Sequence, residues 1–183
     1  MWKLVKPVWK LVSSLLLFVL VSCAGSKNLA LLKSSANDLN FVFTGRIDQQ
    51  SYRNIIDVIN AHPHEKITIY ANSNGGYIDG ILEAMDAIHQ HGQVVWNVSQ
   101  YDKCVSACAV LGMSAQHING KLSFHSVYTR YDAKSYKLLG NNDEIQQRLI
   151  GFGYDAQLIK QIFLSINIYR SIEFLNGKIT VIN

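Results

Sequence analysis

Three short stretches of this sequence carry residue types that can do chemistry together. Ser106 stands in Cys104-Val105-Ser106-Ala107-Cys108, a small-residue turn with one hydroxyl. His125 follows nineteen positions later in Ser123-Phe124-His125-Ser126, and Gly75-Gly76 closes Tyr70-Ala71-Asn72-Ser73-Asn74-Gly75-Gly76. A hydroxyl, an imidazole and amides flanked by glycine are the parts of a nucleophile site. The base takes the hydroxyl proton as the oxygen attacks a carbonyl, and the amides hold the oxyanion that forms. Taken singly, each part has an ordinary reading. A serine among small residues is more often a helix N-cap or a tight-packing residue, a histidine here simply the end of a strand, and a glycine pair a turn.

The elements that must position these residues alternate in type. Phe41 to Gly45, Lys66 to Ala71, Val94 to Val98 and Lys121 to His125 are β-rich runs. Between them Ile55, Ile56, Val58 and Ile59 share a helical face that ends at His62-Pro63. Ile78, Ile81, Leu82, Met85 and Ile88 recur at helical spacing, with Gly92 as a stop. A helix carrying Ser106 runs to Met113. Tyr128 to Asn142 reads as a polar, tyrosine-rich loop or lid, Asp143–Leu149 and Asp155–Ser165 as helices, and Lys178–Ile182 as a last strand. Strands alternating with helices imply an α/β domain with a mostly parallel sheet. In that frame Gly75-Gly76 falls between a strand and a helix, which aims amides near a helix N-terminus. Ser106 starts a second helix, and His125 ends the next strand, where its ring is expected about 2.6–3.2 Å from the Ser106 hydroxyl, or farther without ligand.

These stretches resemble the Clp protease proteolytic subunit and its crotonase-superfamily relatives, most of all the exported bacterial ClpP-like proteins with a Cys-x-Ser-Ala-Cys segment. The resemblance spans Phe41 to Val181 and implies a ClpP/crotonase-like fold, a stacked β-β-α superhelix. By that resemblance Ser106 is the nucleophile, His125 its general base, and the Gly76 and Ala107 amides the oxyanion hole. Gly75 and Tyr128 would contact substrate, with Tyr131, Tyr136 and Arg130 as further groove candidates. The sequence departs from the pattern in two places. Asn74 stands where the family usually has proline, although asparagine also tolerates turns. The family's late aspartate has no counterpart in Ile162 to Ile168. Asn167 is the substitute the pattern offers as the residue orienting His125. Glu173, matched to a glutamate on the family's last helix, and Asp155 are weaker ones.

The front of the chain is a targeting pattern. Lys3, Lys6 and Lys10 precede the apolar run Leu11 to Val21, which is short for a membrane span of about 20 residues. An uncleaved anchor helix is the alternative. Leu20-Val21-Ser22-Cys23-Ala24 resembles a lipobox, which implies cleavage before Cys23 and acylation of its thiol and new amine, a multi-chain anchor. Ala24 after the cysteine favours outer-membrane sorting by the same family rule. The division expected is 1–22 signal peptide, 23–39 lipidated tether and 40–183 domain. Without residues 1–22, Lys+Arg falls from 17 to 14 against 13 Asp+Glu, a formal balance of about +1. The basicity belongs to the targeting segment, and the nucleic-acid footprint of a clustered basic patch is missing from the sequence.

An exported chain meets an oxidising compartment, where Cys104 and Cys108 could pair. Four positions apart on a regular helix, their Cβ atoms lie too far apart for a relaxed bridge, so a disulfide requires Cys104 to precede the helix. The open alternatives are a thiolate nucleophile beside His125 and a zinc set of Cys104, Cys108, His117 and His125, whose spacing follows no familiar ligand pattern. The functional expectation is an envelope-anchored, periplasm-facing serine peptidase, homo-oligomeric by family habit. It would act on small or unfolded peptides without metal, nucleotide or other cofactor. The alternative is an inactive module of the same fold that binds a protein partner.

Overall fold

The computed structural model describes residues 28–35, 37–126, 128–130, 136–138, 141–163, 170–175 and 178–182. The targeting segment, Cys23 and Asn167 lie outside the described residues. The frame is a seven-stranded sheet in the order β1-β2-β3-β4-β5-β8-β9. Its centre is parallel: β2 (Asp38–Thr44), β3 (Lys66–Asn72), β4 (Val94–Asn97) and β5 (His117–Phe124). One antiparallel strand flanks them on the β2 side, β1 (Leu29–Ser34). On the other side β8 (Arg170–Leu175) runs against β5, and β9 (Lys178–Ile182) against β8. Five of the seven strands therefore point the same way.

The period-two pattern decides which side is buried. Leu39, Phe41 and Phe43 of β2 and Ile67, Ile69 and Ala71 of β3 are buried, while their neighbours in sequence are partly or fully exposed. Helices α1 (Gln49–Ala61), α2 (Ile81–His91) and α3 (Ala107–Met113) supply the packing partners. Tyr52, Ile55 and Ile59 come from α1, and Ile81, Ala84, Met85 and Ile88 from α2. Every residue of α3 is buried, as expected for an all-apolar helix inside a core. Asp48 starts α1 with a capping box: its carboxylate accepts from the Ser51 amide, and the Ser51 hydroxyl accepts from the Asp48 amide. The Ser51 amide holds the Asp48 carboxyl below its ordinary range. Gly92 ends α2 in the left-handed conformation, φ 77°.

Four expectations need correction. Leu29–Ser34, read as tether, is β1, because Leu29, Ala30 and Leu31 find backbone partners in Phe43, Val42 and Phe41. The segment read as a loop or lid contains a hairpin, β6 (Tyr128–Arg130) with β7 (Tyr136–Leu138). The last strand has a predecessor: β8 occupies residues the resemblance places on a helix. Helix α5 is shorter than expected, Ala156–Ile162, following α4 at Asn141–Gly151.

Candidate active site

The C-terminal ends of the parallel strands are extended by a second tier of short parallel bridges: Ile47 with Gly76, Ser73 with Cys104, and Val105 with Ser123. Crevices at this end of a parallel sheet are where α/β folds bind ligands. The bridges explain why residues far apart in sequence meet here. Ser73 accepts at its carbonyl from the Val105 amide (3.0 Å), and the Ser106 amide donates to the Ser123 carbonyl (2.8 Å). The Ser106 turn is thus sewn to the end of β5, two residues before His125.

Ser106 sits at the N-cap of α3 with φ 58° and ψ −121°. Among the described residues it alone combines a side chain with positive φ. A non-glycine residue in such a region costs on the order of 1–3 kcal/mol and persists where its surroundings impose it, most often at functional sites. Its side chain does not cap the helix. Ser106 therefore holds the N-cap position without capping, and its close packing against Gly75 is the ordinary role left to it. The hydrogen bond from the Ser106 hydroxyl to His125 expected from the sequence is not among those of the described residues, where the His125 ring bonds to the Ser126 carbonyl.

Gly75 packs directly on this turn. A Cβ at Gly75 would stand 2.7 Å from the Ser106 Cβ and 3.1 Å from the Ala107 nitrogen. Ser73, buried, forms the turn that holds Gly75 there, its hydroxyl accepting from the Gly75 amide (3.0 Å). On the far side of the glycine pair, Ile47 bonds to the Gly75 carbonyl and the Tyr77 amide, both at 3.0 Å. That pairing uses one edge of the segment and leaves the Gly76 N–H on the other edge. Among the described residues neither the Gly76 nor the Ala107 N–H has an acceptor. One expectation changes: the glycine pair is not at a helix start, since α2 begins at Ile81. The Gly76 amide is aimed by the bridge to Ile47 instead. The segment is also anchored from α1, where the buried Tyr52 hydroxyl donates to the Tyr77 carbonyl. Burial, with Asp79 and Asp48 adding to it, pushes that phenol's pKa up.

His125 follows β5 directly and is half-buried. Its Nδ1 lies 2.8 Å from the Ser126 carbonyl oxygen, which can only accept, so Nδ1 carries the proton and Nε2 is the basic nitrogen. Ser126 is itself buried, and its hydroxyl donates to the Phe163 carbonyl at the end of α5. The main chain thus does for the tautomer what a carboxylate does in a triad. The weaker triad candidates lie at the start of α5 and on β8. The Asp155 carboxylate is the N-cap of α5, accepting from the Leu158 amide at 2.9 Å. Glu173 lies on β8 opposite Lys121, four residues before His125, about 13 Å along the strand. Ser126 was quoted in the sequence motif, but no sequence signal distinguishes an anchoring serine from any other. Replacing Ser126 with alanine is expected to lower kcat by about tenfold with KM nearly unchanged, and Ser126→Thr to restore part of it. Equal losses in both variants, or a change in KM alone, would speak against an orienting role.

Cys104 and Cys108 are joined, with Cα atoms 5.1 Å apart. The geometry closes because Cys104 precedes α3, bridged to Ser73, so helical spacing does not apply. The bond removes both thiols from the alternatives of thiolate nucleophile and zinc ligand. His117 and His125 bracket the two ends of β5, and among the described residues no cluster of metal-ligating side chains occurs. Tyr128 lies on β6 after the His125 turn. A groove of about 420 Å³ runs beside the glycine pair, lined by Gly45, Arg46 and the Asn72–Gly76 turn.

By sequence, no family model and no curated protein matches this chain. Among solved structures, the membrane-bound stomatin-specific protease 1510-N, in a serine-to-alanine mutant form, is similar at 15% identity and a TM-score of 0.52. The match covers 72% of this chain and 71% of that one. At that identity the likeness speaks to architecture alone: the two share a mixed α/β fold, here built on a seven-stranded, mostly parallel sheet.

Proposed function

We propose that this chain is a serine hydrolase that cleaves peptides by acyl transfer. The observation that carries the reading is the forced backbone of Ser106, φ 58° at the start of α3, with Gly75 packed against it. Ser106 Oγ attacks the peptide carbonyl while His125 Nε2 takes its proton and later returns it to the leaving amine. The Gly76 and Ala107 N–H groups receive the oxyanion. Water then hydrolyses the acyl-enzyme by the same route. The substrate would lie along Gly75-Gly76, with Tyr128 kept as a candidate contact from the sequence. The structural neighbour, a membrane-bound stomatin-specific protease, agrees with a protease reading. We further propose that Cys23 is lipidated and holds the enzyme at the envelope, facing the periplasm.

A second reading keeps the groove without the chemistry, as a partner-binding module. It is favoured by the described partner of His125 Nδ1 being a carbonyl, which stabilises an imidazolium less than a carboxylate does. A fluorophosphonate probe separates the two. The enzyme forms a covalent adduct that is absent in Ser106→Ala. A folded preparation that never labels leaves only the binding module.

A further inference from the structure

We infer that Arg46 makes the groove selective for a carboxylate carried by the substrate chain. The inference rests on the reading of the groove as a peptide site. Arg46 and the glycine pair form one rigid unit, since Ile47, its neighbour, bonds to both Gly75 and Tyr77. The Arg46 carbonyl is held in turn by the Asn28 side chain. Its guanidinium carbon sits 4.5 Å over the Tyr77 ring centroid, a cation–π contact that fixes a flexible side chain over the residue just after Gly76.

Among the described residues Arg46 joins no ion pair. The nearest acid in sequence, Asp48, is engaged with Ser51 as the α1 cap. The remaining groove residues, Gly45 and Asn72 to Gly76, are uncharged. Arg46 lines this groove of otherwise uncharged residues, and a planar guanidinium held on one side by a ring suits a carboxylate, which it can bind through two parallel hydrogen bonds. The carboxylate has two sources in a peptide: an acidic side chain near the scissile bond, or the free C-terminus of a short substrate. Because Arg46 is exposed, solvent limits the discrimination to about fivefold.

The test uses the full chain and quenched-fluorescence peptides on one scaffold. Each carries Glu, Gln or Lys at the positions flanking the cleaved bond, with a free or an amidated C-terminus. Turnover is measured with wild type, and binding by fluorescence anisotropy with Ser106→Ala, which needs no chemistry. The expected result is about fivefold preference for Glu over Gln if the side chain is the source, or for free over amidated termini if the C-terminus is. The ratio should fall to near one in Arg46→Gln and be partly kept in Arg46→Lys. Equal treatment of all peptides, a preference that survives Arg46→Gln, or no peptide binding at all overturns the inference. Carboxylate-selective binding by Ser106→Ala without turnover by wild type supports Arg46 and removes the hydrolase. Turnover without selectivity does the reverse.

Discussion

Gly75→Ala is expected to reduce kcat/KM for a reporter peptide by at least about 100-fold while leaving a folded protein of lower stability. Two costs combine. At φ +85° an alanine pays about 1 kcal/mol that glycine does not. Its Cβ would also lie 2.6 Å from the Val105 carbonyl oxygen and 2.7 Å from the Ser106 Cβ. Overpacking of this kind costs about 1–3 kcal/mol, and here the obstacle is backbone, which cannot rotate away. Relief must come from moving the turn that carries Ser106 and the Ala107 amide. A misplacement approaching 1 Å at reacting groups costs about 100-fold. Gly92→Ala is the control. It has φ +77° but nothing within 4 Å of its Cβ, so it pays the conformational cost alone and should keep full activity. Turnover and thermal unfolding of the pair separate the two costs. Wild-type kcat/KM in Gly75→Ala would remove the glycine from the site.

The sequence disclosed the parts of this arrangement whose signals are periodic. The alternation in Lys66 to Ala71 and the stripe Ile81, Met85, Ile88 closed by Gly92 both correspond to observed elements, β3 and α2. Signals carried by a boundary were harder to read. Whether Cys104 can reach Cys108 depends on where α3 begins, and Cys-Val-Ser-Ala-Cys has no propensity contrast that marks the start. The second tier of bridges is invisible in the same way, because Ile47, Ser73 and Val105 pair across gaps of about 20–30 residues with no local pattern. The β8–β9 pair was readable: Asn176-Gly177 separates two alternating runs, a strong hairpin signal, and Leu175 does pair with Lys178. The resemblance, by contrast, matches Glu173 to a helix where the chain has β8. The anchoring of His125 by Ser126 depends on a carbonyl, which every residue has, so no residue type could announce it.

Ser106→Gly is expected to raise stability by about 0.5–1 kcal/mol and at the same time to abolish fluorophosphonate labelling. The backbone at Ser106 is not free to relax. Its amide is bonded to the Ser123 carbonyl, its carbonyl accepts from Val110 (3.1 Å), and the Cys104–Cys108 bond closes the turn around it. Those ties hold φ at 58° with a Cβ present, at a cost on the order of 1–3 kcal/mol. Glycine removes that cost and gives back roughly 0.5–1 kcal/mol through the greater freedom of the unfolded chain. Ser106→Ala keeps the Cβ and the strain, so its stability should stay within about 0.5 kcal/mol of wild type. Both variants lack the hydroxyl and should lose at least about 1,000-fold in hydrolysis, as enzymes deprived of a nucleophile do. Denaturant unfolding of wild type, Ser106→Ala and Ser106→Gly, run beside the labelling assay, reads both effects at once. Glycine less stable than alanine would mean that the turn stores no strain. A stabilising, inactivating Ser106→Gly would mean that the fold gives up stability to present this hydroxyl, a cost with no purpose for a residue that merely packed.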